Sequence, residues 1–341
     1  MKKNARTLSV LMFLFVLSTA PDVRAHFLES ESDYYKADET AGHVHQANAQ
    51  RIYDWPEYES RKIFLKTNNL GFREDQDTET ERPSGTVRVL VTGDSHTDGV
   101  VNNGESFPNL LENMLNEKGD GRYEVLNGGT GYYTFRNYLG FLKKYLYLKP
   151  DVFIAAVYTG NDFLDTARLL EAGGMKVLRS DDYTRPLYKQ SEAGGLALAQ
   201  SINQIYYFRF FPQMKGPVLE SAAEDFAEIK TLCEENGISF LAVLLPAKAD
   251  VEWARDQAVL DELKAGLSLT AQDLTINKNL TNALKEKLSE NSVAYLDLAD
   301  AMNNQDEALF WKKDHHLNPR GHRVAAEALC DWMSGKKAPA F

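Results

Sequence analysis

Val87-Arg88-Val89-Leu90-Val91-Thr92-Gly93-Asp94-Ser95-His96 is the stretch that decides the reading of this chain. Residues 87–92 form a β-branched, apolar run, which predicts a buried strand. The run stops at Gly93 and presents Ser95 on the turn that follows. Open α/β sheets carry their sites in the crevice outside the carboxyl ends of their strands. A serine there can be a nucleophile if a base and an oxyanion-stabilising group join it. Taken alone, the segment GDSHTDG (93–99) reads more readily as a polar turn.

Outward from this strand, apolar runs alternate with helical patterns. Further strands are expected at 123–126, 151–158, 238–245 and 293–298. Phe107, Leu110, Leu111, Met114 and Leu115 recur at helical spacing, which predicts a helix over 107–117. Others are expected at 135–148, stopped before Pro150, at 220–235, ended by Asn236-Gly237, and at 282–290. A closing helix over 319–333 has Pro319 in its first turn. This alternation predicts an α/β fold with a mostly parallel five-stranded sheet covered by helices. Two segments, 165–218 and 247–277, interrupt it. Both follow strands, so both are expected near the carboxyl edge, where they can shape a pocket or lid. Tyr206, Tyr207, Phe208, Phe210 and Phe211 in the first of them read primarily as core packing, with pocket lining as the alternative.

The ends and the charge add context. Residues 1–25 begin with Lys2, Lys3 and Arg6, continue through a short apolar stretch over 8–17, and end on Val23-Arg24-Ala25. That is the pattern of a signal peptide cleaved after Ala25, and it predicts a secreted or periplasmic protein. The apolar stretch is short for a membrane span, so no stable span is expected after cleavage. Removing these 25 residues takes away four basic and one acidic residue, so the formal charge goes from −11 to −14. So acidic a chain is not expected to bind nucleic acid or an anionic membrane. Residues 26–85 form an N-terminal extension, its end (75–85) reading as a linker. Residues 86–341 form the main domain. Cys233 and Cys330, in separate predicted helices, read as buried apolar side chains rather than a disulfide.

Three further strand-end segments carry chemistry. Asn127-Gly128-Gly129-Thr130-Gly131 can bring backbone N–H groups close to a ligand. Thr159-Gly160-Asn161-Asp162 offers an amide donor in Asn161. Asp314-His315-His316-Leu317-Asn318-Pro319-Arg320-Gly321-His322 leads into the last helix and offers a base with a nearby carboxylate. Each has a plain alternative as a turn or cap. The three histidines also raise a zinc site, but no Cys or carboxylate pair accompanies them at ligand spacing.

Taken in this order, GDSHTDG, NGGTG, TGND and DHHLNPRGH resemble the SGNH (GDSL-like) hydrolase superfamily over roughly residues 87–334. The resemblance implies a flavodoxin-like three-layer α/β/α sandwich, ester hydrolysis and no metal or other cofactor. It implies Ser95 as nucleophile, His316 as base and Asp314 as the group orienting His316. The oxyanion would be held by the Ser95 N–H, the Gly131 N–H and the Asn161 side chain. Asp94 would tie the nucleophile loop. The superfamily's Asp usually stands three residues before its His, where this chain has Lys313. The Gly block is also one residue tighter than usual, so Gly129 competes with Gly131.

The expected function is an exported serine esterase acting on a small-molecule or polysaccharide ester, with an O-acetylated carbohydrate preferred. The rivals are an acyltransferase using the same residues and a binding protein on an inactive copy of the fold. His43 and His45 read as solvated loop residues, His96 as a poor base for its neighbour Ser95, and the acidic runs 74–81 and 224–228 as solvated faces. The sequence does not set the oligomeric state.

Overall fold

A computed structural model describes residues 33–119, 122–180, 182–184, 186, 199–252 and 257–335. The signal peptide read at 1–25 lies outside them, as do 187–198 and 253–256 of the two interruptions. Among the described residues no helix is long and apolar enough to cross a membrane.

The N-terminal extension forms two antiparallel hairpins, β1 (Tyr35–Asp38) with β2 (Gly42–His45), and β3 (Gln50–Asp54) with β4 (Lys62–Lys66). The main domain follows as β5 (Thr86–Gly93), α1 (Ser95–Asp98), α2 (Phe107–Lys118), β6 (Arg122–Asn127), α3 (Phe135–Tyr145), β7 (Val152–Tyr158) and α4 (Asp162–Ala172). It continues through α5 (Ala199–Phe210), α6 (Lys215–Glu235), β8 (Ser239–Leu245), α7 (Lys248–Glu252), α8 (Gln257–Leu267), α9 (Ile276–Glu290), β9 (Tyr295–Asp297), α10 (Ala299–Asn303) and α11 (Pro319–Ser334).

β5 to β9 make one all-parallel sheet in the order β6-β5-β7-β8-β9. The chain order reverses between β5 and β7, which puts a crevice at their carboxyl ends. Every residue of β7 is buried, as a continuous apolar run covered on both faces requires. β9 is shorter than its apolar run of 293–298 and lies at the edge, where a short strand exposes few unpaired backbone groups. Helices cover both faces. α3, α6 and α9 pack together over one core, and α2 and α11 over the other. The parallel, helix-covered sheet expected from the alternation is therefore present, in the three-layer arrangement that the resemblance implied.

Tyr206, Tyr207, Phe208 and Phe211 are buried in the first core, so this aromatic cluster is packing rather than pocket. Cys233 and Cys330 are free and buried in different cores. The segment 75–85, read as a linker, is fastened to the sheet. Buried Arg88 on β5 donates to the carbonyls of Glu79 (2.8 Å) and Thr80 (3.0 Å) and pairs with Glu124 at 2.6 Å. Two acidic side chains read as solvated are not. Glu74 accepts from the Asn127 N–H (2.9 Å) and the Asn109 amide (2.6 Å), and Asp225 is buried on α6.

Candidate active site at the carboxyl edge of the sheet

Ser95, at the end of β5, and His316, in the loop between α10 and α11, are 221 residues apart, yet the Ser95 Oγ lies 2.8 Å from His316 Nε2. The other imidazole nitrogen, Nδ1, lies 2.6 Å from Asp314 Oδ1. Asp314 also accepts the backbone N–H of His316 at 2.8 Å, so one carboxylate fixes both ring and main chain. Burial pushes the Asp314 carboxyl up, but His316 and His315 outweigh it and hold the group well below the ordinary carboxylate range. An ionised Asp314 only accepts, so His316 Nδ1 carries the proton and Nε2 is left to accept from Ser95. Burial pulls the His316 pKa down, and Asp314, by charge and hydrogen bond, overrides this and raises it. The Asp two residues before His316 therefore occupies the orienting place.

The turn that presents Ser95 is capped by Asp94. Its Oδ1 accepts the His96 N–H at 2.8 Å, starting the four-residue helix α1. Ser95 is half-buried. Its N–H, like that of Gly131, is hydrogen-bonded to no described residue. The Gly129 N–H, in contrast, is engaged by Asn127 Oδ1 at 3.0 Å. Gly129 has a different task. A Cβ there would overlap the backbone of Thr97 and Asp98, so the missing side chain lets this loop close on α1. Of the two competing glycines, Gly131 has the available donor. Asn161 starts α4, with its Nδ2 donating to Asp165 Oδ2 at 3.1 Å and its Oδ1 buried without a partner. The Asn161 amide also lies in hydrogen-bonding range of the Asp94 carboxylate, so its two hydrogens are shared between Asp165 and Asp94. Burial raises the pKa of Asp94, Asp162 and Asp165, and the first two repel each other.

His96 is fully buried, its ring stacked on Tyr158 with centroids 3.4 Å apart. Ring nitrogens of His96, His315 and His316 gather within 4.8 Å of one another. His316 uses both of its nitrogens on Asp314 and Ser95, so it has none left for a metal while that relay is formed. His322, the third histidine of the motif, is elsewhere. Its Nδ1 accepts the Phe107 N–H at 3.2 Å, and burial holds its pKa down to about 3.

Two residues of this region were given no role from the sequence, although one of them closes a segment after the fourth strand that echoes the superfamily. Lys248, on α7, is fully buried, and its Nζ donates to the carbonyl of Trp311 at 2.7 Å, with those of Asp314 at 3.3 Å and Lys312 at 3.4 Å also in range. Glu252, one turn along, accepts the N–H groups of Leu309 (2.6 Å) and Phe310 (3.2 Å). Together they hold the main chain that carries Asp314 and His316. Lys248 stands in Leu245-Pro246-Ala247-Lys248 after β8, which is the available signal. Replacing Lys248 by methionine strips buried carbonyls of a charged donor, and is expected to cost about 1–3 kcal/mol of stability. Thermal unfolding checks this, and a Lys248→Met protein as stable as the parent would contradict it.

The histidines of the β1–β2 hairpin correct another expectation. His43 and His45 are each only 2% exposed, not solvated. They point inward because β2 is covered by the loops after β5 and β6. His45 Nε2 lies 3.4 Å from Asp98 Oδ2, and His43 Nε2 lies 2.8 Å from the Gly131 carbonyl oxygen.

Residues 210–340 match the family described as "SGNH hydrolase-like domain, acetyltransferase AlgX". That span includes Asp314 and His316 and stops short of Ser95. No curated protein matches the chain. Similar solved structures include Axe2, an acetylxylan esterase from Geobacillus stearothermophilus, at 13% identity and TM-score 0.45, covering 75% of this chain and 97% of that one. The acetyl xylan esterase AlAXEase is 16% identical with TM-score 0.42, covering 71% and 98%. A lipase/acylhydrolase from Enterococcus faecalis is 15% identical with TM-score 0.42, covering 74% and 100%.

Proposed function

We propose that this SGNH hydrolase-like chain is a serine esterase that removes O-acetyl groups from carbohydrate. The observation that carries this is the continuous relay from Ser95 Oγ through His316 to Asp314, opening at the sheet edge beside two unengaged N–H groups. In this reading Ser95 Oγ attacks the ester carbonyl and His316 Nε2 takes its proton. The oxyanion is met by the N–H groups of Ser95 and Gly131 and by the Asn161 amide, which turns one hydrogen from Asp94 toward the substrate. Collapse expels the sugar alkoxide, which leaves with the proton from His316, and an acetyl-Ser95 ester remains. Water then gives a proton to His316 and attacks the acetyl carbonyl; collapse expels Ser95 Oγ, which takes that proton back from His316, and acetate is released.

The acetyl group is suggested by the description of the matching family. The carbohydrate is suggested by the export pattern of residues 1–25, which favours an envelope or extracellular polysaccharide over bulk lipid. A secreted or periplasmic location belongs to the same proposal. The family description also favours a second reading, in which a sugar hydroxyl replaces water in the last step.

Both readings are tested by p-nitrophenyl acetate turnover with and without xylo-oligosaccharide, followed by acid quench and peptide mass analysis. Acetate as the sole product, with an acetyl group on the Ser95 peptide, supports the esterase. Acetylated oligosaccharide appearing at the expense of acetate supports transfer. No turnover and no acetylation by folded protein would remove both and leave a binding protein.

A further inference from the structure

We infer that His43, in the N-terminal extension, is a positioning residue for the oxyanion-binding Gly131 N–H, so that the extension is part of the active site. This rests on the acyl-ester reading above. His43 lies in β2, 88 residues from Gly131 in sequence, and its Nε2 is 2.8 Å from the Gly131 carbonyl. A carbonyl only accepts, so His43 Nε2 is the donor. The contact is reciprocal. The Tyr133 hydroxyl donates to the His43 carbonyl at 2.5 Å, and the Asn137 amide donates to that of Ala41 at 2.8 Å. The hairpin is thus bonded to the 131–137 segment from both sides.

The segment needs such a hold. Gly131 has no side chain to limit its torsions, and Tyr132 beside it sits at φ 66°, in the left-handed region. A non-glycine there costs on the order of 1–3 kcal/mol and persists only when its surroundings dictate it. On one side, the Thr130 N–H is fixed by the Gly93 carbonyl at 2.9 Å. On the other, His43 fixes the Gly131 carbonyl. The peptide between those two anchors is the one whose N–H is left without a partner. Tyr35 closes the remaining side: a Cβ on Gly131 would come 3.0 Å from its hydroxyl oxygen, which itself donates to Asp98 Oδ2 at 3.2 Å. With the His43 bond gone, the Gly131 carbonyl can swing about the flexible Gly131 Cα, and the adjoining peptide that carries the Gly131 N–H rests on the long 3.3 Å bond from the Tyr133 N–H to the Thr130 carbonyl.

The test compares His43→Met with His43→Gln on p-nitrophenyl acetate, beside Ser95→Ala. The two side chains are close in shape, but only glutamine has an N–H to give. His43→Met is expected to lower kcat about 10- to 100-fold with KM nearly unchanged, since a misaimed oxyanion donor acts on the transition state. His43→Gln is expected to recover most of that loss. Wild-type kcat in His43→Met, a loss confined to KM, or a glutamine variant as slow as the methionine one would each overturn the inference. If His43→Met does not fold by circular dichroism, the glutamine variant decides alone, near-parental kcat supporting the inference and a large loss overturning it. Activity surviving in Ser95→Ala would instead sink the acyl-ester reading itself.

Discussion

His316→Ala and Ser95→Ala are each expected to lower kcat/KM for p-nitrophenyl acetate by roughly three to six orders of magnitude, with the double variant no worse than either. The two side chains act on one proton, so removing the second group takes away nothing that the first had left working. Asp314→Asn is expected to cost about 10⁴-fold at neutral pH, because an amide no longer enforces the tautomer that leaves Nε2 open to Ser95. The pH profile separates orientation from general damage. In the parent, only neutral His316 can accept the proton, so activity rises with pH through a pKa that Asp314 has raised above the ordinary imidazole value. In Asp314→Asn that influence is gone while burial still pulls the pKa down. The acidic limb must therefore move to lower pH even as the plateau falls. A limb that stays in place would mean that Asp314 is not the partner of His316, and full additivity in the double variant would mean that Ser95 and His316 do not act together.

Much of this site was legible in the sequence, and the reason is local. β5 and β7 are largely apolar runs at the centre of the sheet, so composition alone marks them, and β5, β6 and β7 each end on a glycine- or asparagine-bearing turn. Ser95, Gly131 and Asn161 follow those ends directly, and topology does the rest. Boundaries were less legible where a short turn feeds a helix. α6 starts at Lys215 and α9 at Ile276, both ahead of the expected starts, because 3₁₀ turns at Pro212–Met214 and Asp273–Thr275 run straight into them.

What the sequence did not yield is the polar interior. His43, His45, Arg73, Arg88 and Lys248 are all buried, and all are residue types that usually face water. Each is stable inside only because a partner waits there, and those partners are far along the chain: Gly131 for His43, Asp98 for Arg73, Trp311 for Lys248. No periodicity encodes such pairings. They also share a location. All but Arg88 brace the loops that carry Ser95, Gly131 and His316, so the part of the fold hardest to read is the scaffold of the site.

Arg73 makes five hydrogen bonds in that bracing, and Arg73→Met is expected to destabilise the protein by about 3–5 kcal/mol, the cost of removing one member of a buried ion pair, with His45 and Tyr35 left on Asp98. Its guanidinium is fully buried and spends all its faces on the end of α1 and the loop behind it. Nη1 donates to Asp98 Oδ1 at 2.8 Å, to the Asp98 carbonyl at 2.5 Å and to the Gly99 carbonyl at 3.1 Å. Nη2 reaches the Val101 carbonyl at 3.0 Å and Nε the Asn103 side chain at 2.9 Å. In a chain of 341 residues the loss should lower Tm by roughly 4–7 °C. Arg73→Lys should fall between the two, since it keeps the charge and gives up the planar fork. The pairing has a second signature. Burial pushes the Asp98 carboxyl up, but His45 and Arg73 outweigh it and hold the pKa at about 2, against an ordinary 3.8. A depressed folded pKa gives stability that is present above 3.8 and is lost as pH falls through about 2. The gap between parent and Arg73→Met should therefore narrow on acidification across that window. Adding Asp98→Asn to Arg73→Met should restore part of the loss, because it removes a buried charge that has lost its arginine partner and keeps only His45 and Tyr35. Chemical denaturation of the three variants decides it: a double variant less stable than Arg73→Met, or a gap that does not close in acid, would show that the arginine stabilises by packing alone.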